Sequence, residues 1–191
     1  MTMTDNNKRF ISRGGDKLQA ALNQFKVNVK GKIVLDVGSS TGGFVDCLLQ
    51  NGAKKVYAVD TCYGELAWKL RNNPKVVVME RTNVLHLENL PELIELVTID
   101  AGWTKLELIL PVVRKFLKPD GIIIALLKPH YEANKKDLIK GVVPAELVEK
   151  IQHQVLDEIK NLGFEVIEVM DSPILGGGGN REYLLHLKTK K

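Results

Sequence analysis

The sequence is poor in the features that mark several large classes of protein. It has two cysteines in 191 residues, Cys47 and Cys62, and they do not form a Cys-x-x-Cys pair. A disulfide framework and a cysteine-based zinc site are therefore excluded, and both thiols read as reduced and mostly structural. No apolar run reaches the ~18 residues of a membrane span. The opening stretch MTMTDNNKRFISRGGDK is polar and lacks an apolar centre. No secretory signal is expected, and a cytoplasmic location is. His86, His153 and His186 show no metal-ligand spacing, so no metal is expected. There is no G-x-x-x-x-G-K-[ST] phosphate loop and no G-x-G-x-x-G dinucleotide fingerprint.

What is present is a globular composition, 45% hydrophobic and 26% charged. At roughly 150 residues per domain the length fits one domain, here Arg13–Lys191 preceded by a basic extension, residues 1–12. The net charge of +4 is unevenly spread. Residues 1–32 carry seven Lys/Arg against two acids, and the rest of the chain is close to neutral. Such asymmetry suggests a polyanionic partner.

From Lys32 onward, short β-branched runs alternate with longer amphipathic ones. The runs predict strands over Ile33–Val37, Lys55–Asp60, Val76–Glu80, Leu96–Asp100, Gly121–Leu127, Phe164–Met170 and Tyr183–Lys188. Helices are expected over Lys17–Phe25, Gly42–Asn51, Gly64–Arg71, Lys105–Phe116 and Ala145–Leu162. In the last, Leu147, Ile151, Val155, Ile159 and Leu162 recur on one helical face. The alternation implies βαβ units and an α/β fold, with a mostly parallel sheet covered on both faces. Gly176–Gly179 marks a flexible loop between the last two strands.

The chemistry concentrates after the first strand. IVLDVGSSTGGF (Ile33–Phe44) ends a strand in Asp36 and turns through Gly38, Ser39, Gly42 and Gly43 into a helix. Ligands of open α/β sheets bind beyond the carboxyl ends of strands. Glycines there let backbone approach ligand closely. An acid at the strand tip suits a cationic or hydroxyl-bearing ligand. Asp60, at the tip of the second strand, is placed to accept hydrogen bonds from ribose hydroxyls. Together these describe an adenosine-type site with an acidic first strand, which fits S-adenosylmethionine (SAM).

RGGDKLQAAL (Arg13–Leu22), LDVGSSTGGF (Leu35–Phe44), VYAVDTCYGELAWKL (Val56–Leu70), VMERTN (Val78–Asn83), VTID (Val97–Asp100), LKPHYEA (Leu127–Ala133) and NREYLLHL (Asn180–Leu187) closely resemble the TlyA / haemolysin A family. These are FtsJ-like ribosomal RNA 2′-O-methyltransferases. The resemblance implies a Rossmann-like SAM-dependent methyltransferase fold with seven strands, the last antiparallel. It implies SAM as cofactor and ribosomal RNA or ribosomal subunits as partner. It also implies a catalytic set of Lys17, Asp100, Lys128 and Glu182. The cofactor set carried over with it is Asp36, Gly38, Ser39, Gly42, Gly43, Asp60, Thr82, Asn83 and Asp100. Members of the family usually carry an N-terminal RNA-binding domain, and only about a dozen residues precede Arg13 here. A separate RNA-binding partner is the corresponding expectation.

The chain departs from the family pattern at Ala101-Gly102-Trp103-Thr104-Lys105, where V-S-F-I-S is usual, and at His130-Tyr131. In the expected mechanism Lys128 assists deprotonation of the ribose hydroxyl and Asp100 orients it, while Lys17 and Glu182 position the ribose. Trp103 is a candidate platform for a splayed base, Tyr63 a candidate border of the adenine, and Trp68 is expected in the core. The rival reading is a non-catalytic SAM-binding or ribosome-associated protein. A pore-forming role, suggested only by the family's name, finds no membrane-length or lytic segment.

Overall fold

The structure is a computed structural model that describes residues 9–190; the expected extension lies mostly outside the described residues. Seven strands form one sheet: β1 (Ile33–Val37), β2 (Lys55–Val59), β3 (Val76–Met79), β4 (Ile94–Ile99), β5 (Leu117–Leu127), β6 (Phe164–Asp171) and β7 (Tyr183–Thr189). Their order is β3-β2-β1-β4-β5-β7-β6. β7 runs antiparallel to both neighbours, and the other pairings are parallel. This is the expected mostly parallel sheet with its last strand reversed. Strand order reverses direction between β1 and β4, which opens a crevice at their carboxyl ends.

Side chains of consecutive strand residues divide between two layers. Leu35, Val37, Tyr57, Val97 and Ile99 pack against α4 (Leu106–Arg114) and α6 (Ala145–Asn161). Val34, Val56, Leu96 and Ile124 pack against α1 (Arg13–Gln24), α2 (Gly43–Gln50) and α3 (Trp68–Arg71). α6 meets the core through the predicted stripe, with Val155 and Ile159 buried and Leu147, Ile151 and Leu162 packed beside them. A single-turn helix, α5 (Pro129–Glu132), follows β5. No described helix is long and apolar enough to cross a membrane.

Several boundaries differ from the sequence expectation. α1 starts at Arg13, not Lys17, so the Gly14-Gly15 pair lies inside it. Gly15 is there because Phe10 is buried against it, and a Cβ would lie 2.4 Å from the Phe10 side chain. That contact also packs residues 10–12 onto the domain, where Asp46 accepts a hydrogen bond from the Ile11 amide. β5 begins four residues early through the exposed Lys118-Pro119-Asp120, a run that reads as a turn. β4 likewise starts two residues early, at Ile94. The helix expected over Gly64–Arg71 shrinks to Trp68–Arg71, because the Ala67 amide bonds to Thr41 O and the Leu66 amide to Glu80.

Gly42 and Gly64 both have positive φ, +99° and +78°. A Cβ on Gly42 would lie 2.2 Å from Leu70 Cδ1, whereas nothing lies near Gly64. Gly64→Ala is expected to cost about 1 kcal/mol, from backbone strain alone. Gly42→Ala should cost a further ~1–3 kcal/mol for the forced repacking. Urea denaturation of both variants checks this; equal losses would show that Leu70 yields without cost.

Candidate active site

The crevice at the carboxyl ends of β1, β2, β4 and β5 is a cleft of about 520 Å³. Its floor is the turn into α2. Gly38, at φ +84°, passes so near β4 that a Cβ would sit 2.6 Å from Asp100 O. The amides of Gly38 and Ser39 bond to Val59 O, tying the turn to the end of β2. Asp60 takes two more amides, Ser40 N at 2.7 Å and Cys62 N at 2.8 Å. A carboxylate offers about four acceptor sites, so two remain for a ligand. Ser39 Oγ is buried on the cleft wall without a partner.

α1 closes the cleft from the side. A Cβ on Gly43 would lie 2.2 Å from Ser12 Oγ and 2.9 Å from the Gly15 amide. The two helix starts therefore touch, and Ser12, Arg13, Gly14 and Lys17 join the lining. Ser12, Arg13 and Gly14 were not anticipated as lining residues. Their signal was the glycine pair, legible only once Gly43 is known to oppose it.

The four residues expected to act on the acceptor form two ion pairs. Lys128 meets Asp100 at 2.6 Å, from the ends of adjacent strands β5 and β4. Its Nζ also donates to Ala101 O at 3.4 Å. Lys17 on α1 pairs with Glu182, just before β7, and both are buried. Gly176 leaves room for Glu182, since a Cβ there would lie 2.1 Å from Oε1. Lys17, Asp100 and Lys128 line the cleft together, but Glu182 does not, and reaches it only through Lys17.

Gly38, Ser39, Gly43, Asp60, Thr82 and Asn83 also line it. Asp36 and Gly42 do not. Gly42 serves helix packing. Asp36 is fully buried beneath the turn, where Thr98 Oγ1 donates to one oxygen and the other has no partner. Burial is the main reason its carboxyl is pushed up to about 7; the Thr98 bond opposes this, and Asp100 and Asp60 add to it. The expectation that Asp36 faces a cationic ligand at the strand tip is thus corrected: it sits one residue too deep.

Three further expectations need correction. Trp68 is 76% exposed, not core. Tyr63 is exposed and lies under the Arg81 guanidinium, 4.2 Å from its ring, outside the cleft lining. Cys62 is exposed on the cleft wall, while Cys47 is buried as expected. Trp103 stands at the rim, 87% exposed, its ring 5.0 Å from that of Tyr131. The His130 ring lies tilted against that of Tyr131, 4.2 Å between centroids, and its Nδ1 is buried without a partner. Burial, with the charges of Lys128 and Lys17, lowers its pKa and favours the neutral ring. Among the described residues, no group of three or more His, Cys, Asp or Glu could hold a metal ion.

The family model described as FtsJ-like methyltransferase matches residues 10–189. A candidate rRNA methyltransferase of Bacillus subtilis, YqxC, is 46% identical over 98% of this chain and 68% of its own length. The 16S/23S rRNA (cytidine-2′-O)-methyltransferase TlyA of Mycobacterium tuberculosis is 39% identical over 98% of this chain and 72% of its own. The solved structure of a candidate hemolysin from Streptococcus thermophilus superposes with a TM-score of 0.93 at 40% identity, covering 98% of this chain and 70% of that one.

Asp36 gives a pH test. Its folded pKa, about 7, lies above its ordinary value of 3.8. Between those values the folded state holds a proton that the unfolded state has lost, so Asp36 destabilises the fold increasingly as pH rises. Asp36→Asn removes that cost. Its stability relative to the parent should climb by a few kcal/mol from about pH 4 to 7 and level off above. Chemical denaturation at several pH values measures this, and a pH-independent difference would contradict it.

Proposed function

The chain belongs to the FtsJ-like methyltransferase family, and from that premise we propose that it moves a methyl group from SAM to a ribose 2′-hydroxyl of ribosomal RNA. The observation that carries this reading is the Lys128–Asp100 pair in one cleft with the glycine turn and Asp60.

The residues present fit SAM. The cleft volume suits a nucleoside-sized ligand. The free acceptor sites of Asp60 suit ribose hydroxyls. The unpartnered Ser39 hydroxyl suits the amino-acid end, and the close approach at Gly38 admits backbone contact. When bound, SAM supplies a methyl group on a positively charged sulfur, ready for in-line displacement.

The chain's own residues act on the acceptor. A ribose hydroxyl is a weak nucleophile and gains from a base within hydrogen-bond reach. Lys128 Nζ is the group placed to assist loss of the hydroxyl proton, while Asp100 and Ala101 O fix where that nitrogen stands. Lys17, held by Glu182, places a second ammonium on the same wall, where it orients the ribose and its phosphate. Arg13 adds positive charge at the opening. Trp103 and Tyr131 present aromatic faces at the rim, suited to an unstacked base. Most of the rate gain in this arrangement is alignment.

The test is incubation with labelled SAM and ribosomal subunits or naked ribosomal RNA. Label in RNA at a position that resists alkaline cleavage is expected, since a methylated 2′-oxygen cannot attack its phosphate. Lys128→Met should cut turnover at least about a hundredfold with SAM affinity unchanged. Retained turnover in that variant would sink the role of Lys128. SAM binding without transfer to any RNA would favour a non-catalytic SAM-binding protein instead.

A further inference from the structure

The loop that follows β4 lines one side of the cleft. Asp100–Lys105 forms no helix or strand, and Trp103 within it has a φ of +64°. Apart from a 3.8 Å contact of Lys105 with Glu107, its side-chain ties run to one segment, Lys128–Glu132. Asp100 and Ala101 O meet Lys128, and the Trp103 ring meets Tyr131. The last tie closes the loop at its far end. α4 begins without a side-chain cap from Lys105, the residue at its N-cap. Instead Glu132 Oε1 accepts the Leu106 amide at 3.0 Å, across 26 residues of sequence. A helix start has unpaired amides and partial positive charge, and a carboxylate satisfies both.

Glu132 is also rigidly linked to Lys128. α5 is one turn long, and the amides of Tyr131 and Glu132 both bond to Lys128 O, at 2.8 and 3.3 Å. Resting on the methyltransferase reading, we propose that Glu132 is a positioning residue: its carboxyl pins the start of α4 to the turn that begins at Lys128, and so sets the approach of Asp100 to Lys128 from behind the cleft. Remove that acceptor, and the start of α4 keeps its buried Leu106 and Ile109 but loses its side-chain tie to the turn that begins at Lys128.

The position is an expensive one for a carboxyl. Glu132 is 9% exposed, and burial pushes it up to about 7. The Leu106 amide and the charge of Lys105 oppose that rise, while Glu158 on α6 and Glu107 on α4 add to it. Lys136 and Lys150 stand farther out on the same recess. A side chain that served only to fill this space would be apolar.

Glu132→Met separates the two roles, because methionine fills the volume and deletes the acceptor. Glu132→Gln keeps an acceptor oxygen. The readouts are turnover on ribosomal RNA, SAM affinity by calorimetry, thermal melting, and amide exchange at Leu106 in the protein alone. Glu132→Met is expected to melt no lower than the parent and bind SAM within about twofold. It should lose roughly tenfold or more in kcat, as small misalignments do, and exchange the Leu106 amide faster. Glu132→Gln should restore both slow exchange and turnover. Parental turnover in Glu132→Met, or equal impairment of the two variants, overturns the proposal. A parent protein that methylates no RNA would instead overturn the methyltransferase reading. Even then the exchange measurement decides whether Glu132 holds the loop.

Discussion

The site rests on an ion pair between two neighbouring strand ends. Parallel strands expose their carboxyl ends along one edge, and β4 and β5 are bonded neighbours there. Asp100 follows the last residue of one and Lys128 the last residue of the other. Register pairs Ile99 with Ala125, so Asp100 and Lys128 leave neighbouring strands two residues out of step, near enough for their side chains to meet at 2.6 Å. The same register puts Asp36 opposite Thr98, the one donor that its buried carboxyl finds.

The second pair, Lys17–Glu182, is a different kind of object. It joins the first helix to the last strand and is almost wholly buried. Burying two charges costs several kcal/mol each, and their attraction roughly offsets this only in good geometry. Such a pair is weak evidence of stability and better evidence of a fixed orientation. Here it fixes Lys17, whose ammonium lines the cleft while its partner stays behind the wall. The tight passage of Gly43 against Ser12 and Gly15 brings α1 close enough to present it.

Most of the fold could be read from period and punctuation. β1, β2 and β6 have apolar runs bounded by turn residues, and α6 carries an unbroken apolar stripe, so local sequence suffices for them. Two of the misread boundaries depended on contacts made outside the segment itself. Gly14-Gly15 looks like a helix breaker until Phe10 packs on it. Gly64–Arg71 looks helical until its amides are claimed by Thr41 and Glu80. Asp60, Asp100 and Lys128 all line the cleft because each follows a strand end, which local sequence locates. Asp36 was misplaced because one residue of depth decides between cleft and core, and periodicity alone does not locate the end of the floor. Glu132 gave no signal as a cap, since its helix lies 26 residues away.

The two walls of the cleft are therefore built on different principles. The wall formed by the glycine turn is backbone held by backbone: Gly38 and Ser39 bond to β2, and Gly38 has no space for a side chain. A substitution there meets a steric barrier. The side with Asp100 and Lys128 is held through side chains, and each of those ties can be changed by one substitution without touching the sheet. This is the wall where Ala101–Lys105 and His130-Tyr131 depart from the family pattern. Methyl donation demands one geometry whatever the acceptor, while the choice of RNA demands a surface that can vary. On the proposed function, a rigid donor side beside a tied but replaceable acceptor side meets both demands, provided the ties keep Asp100 on Lys128 while the rim changes around them.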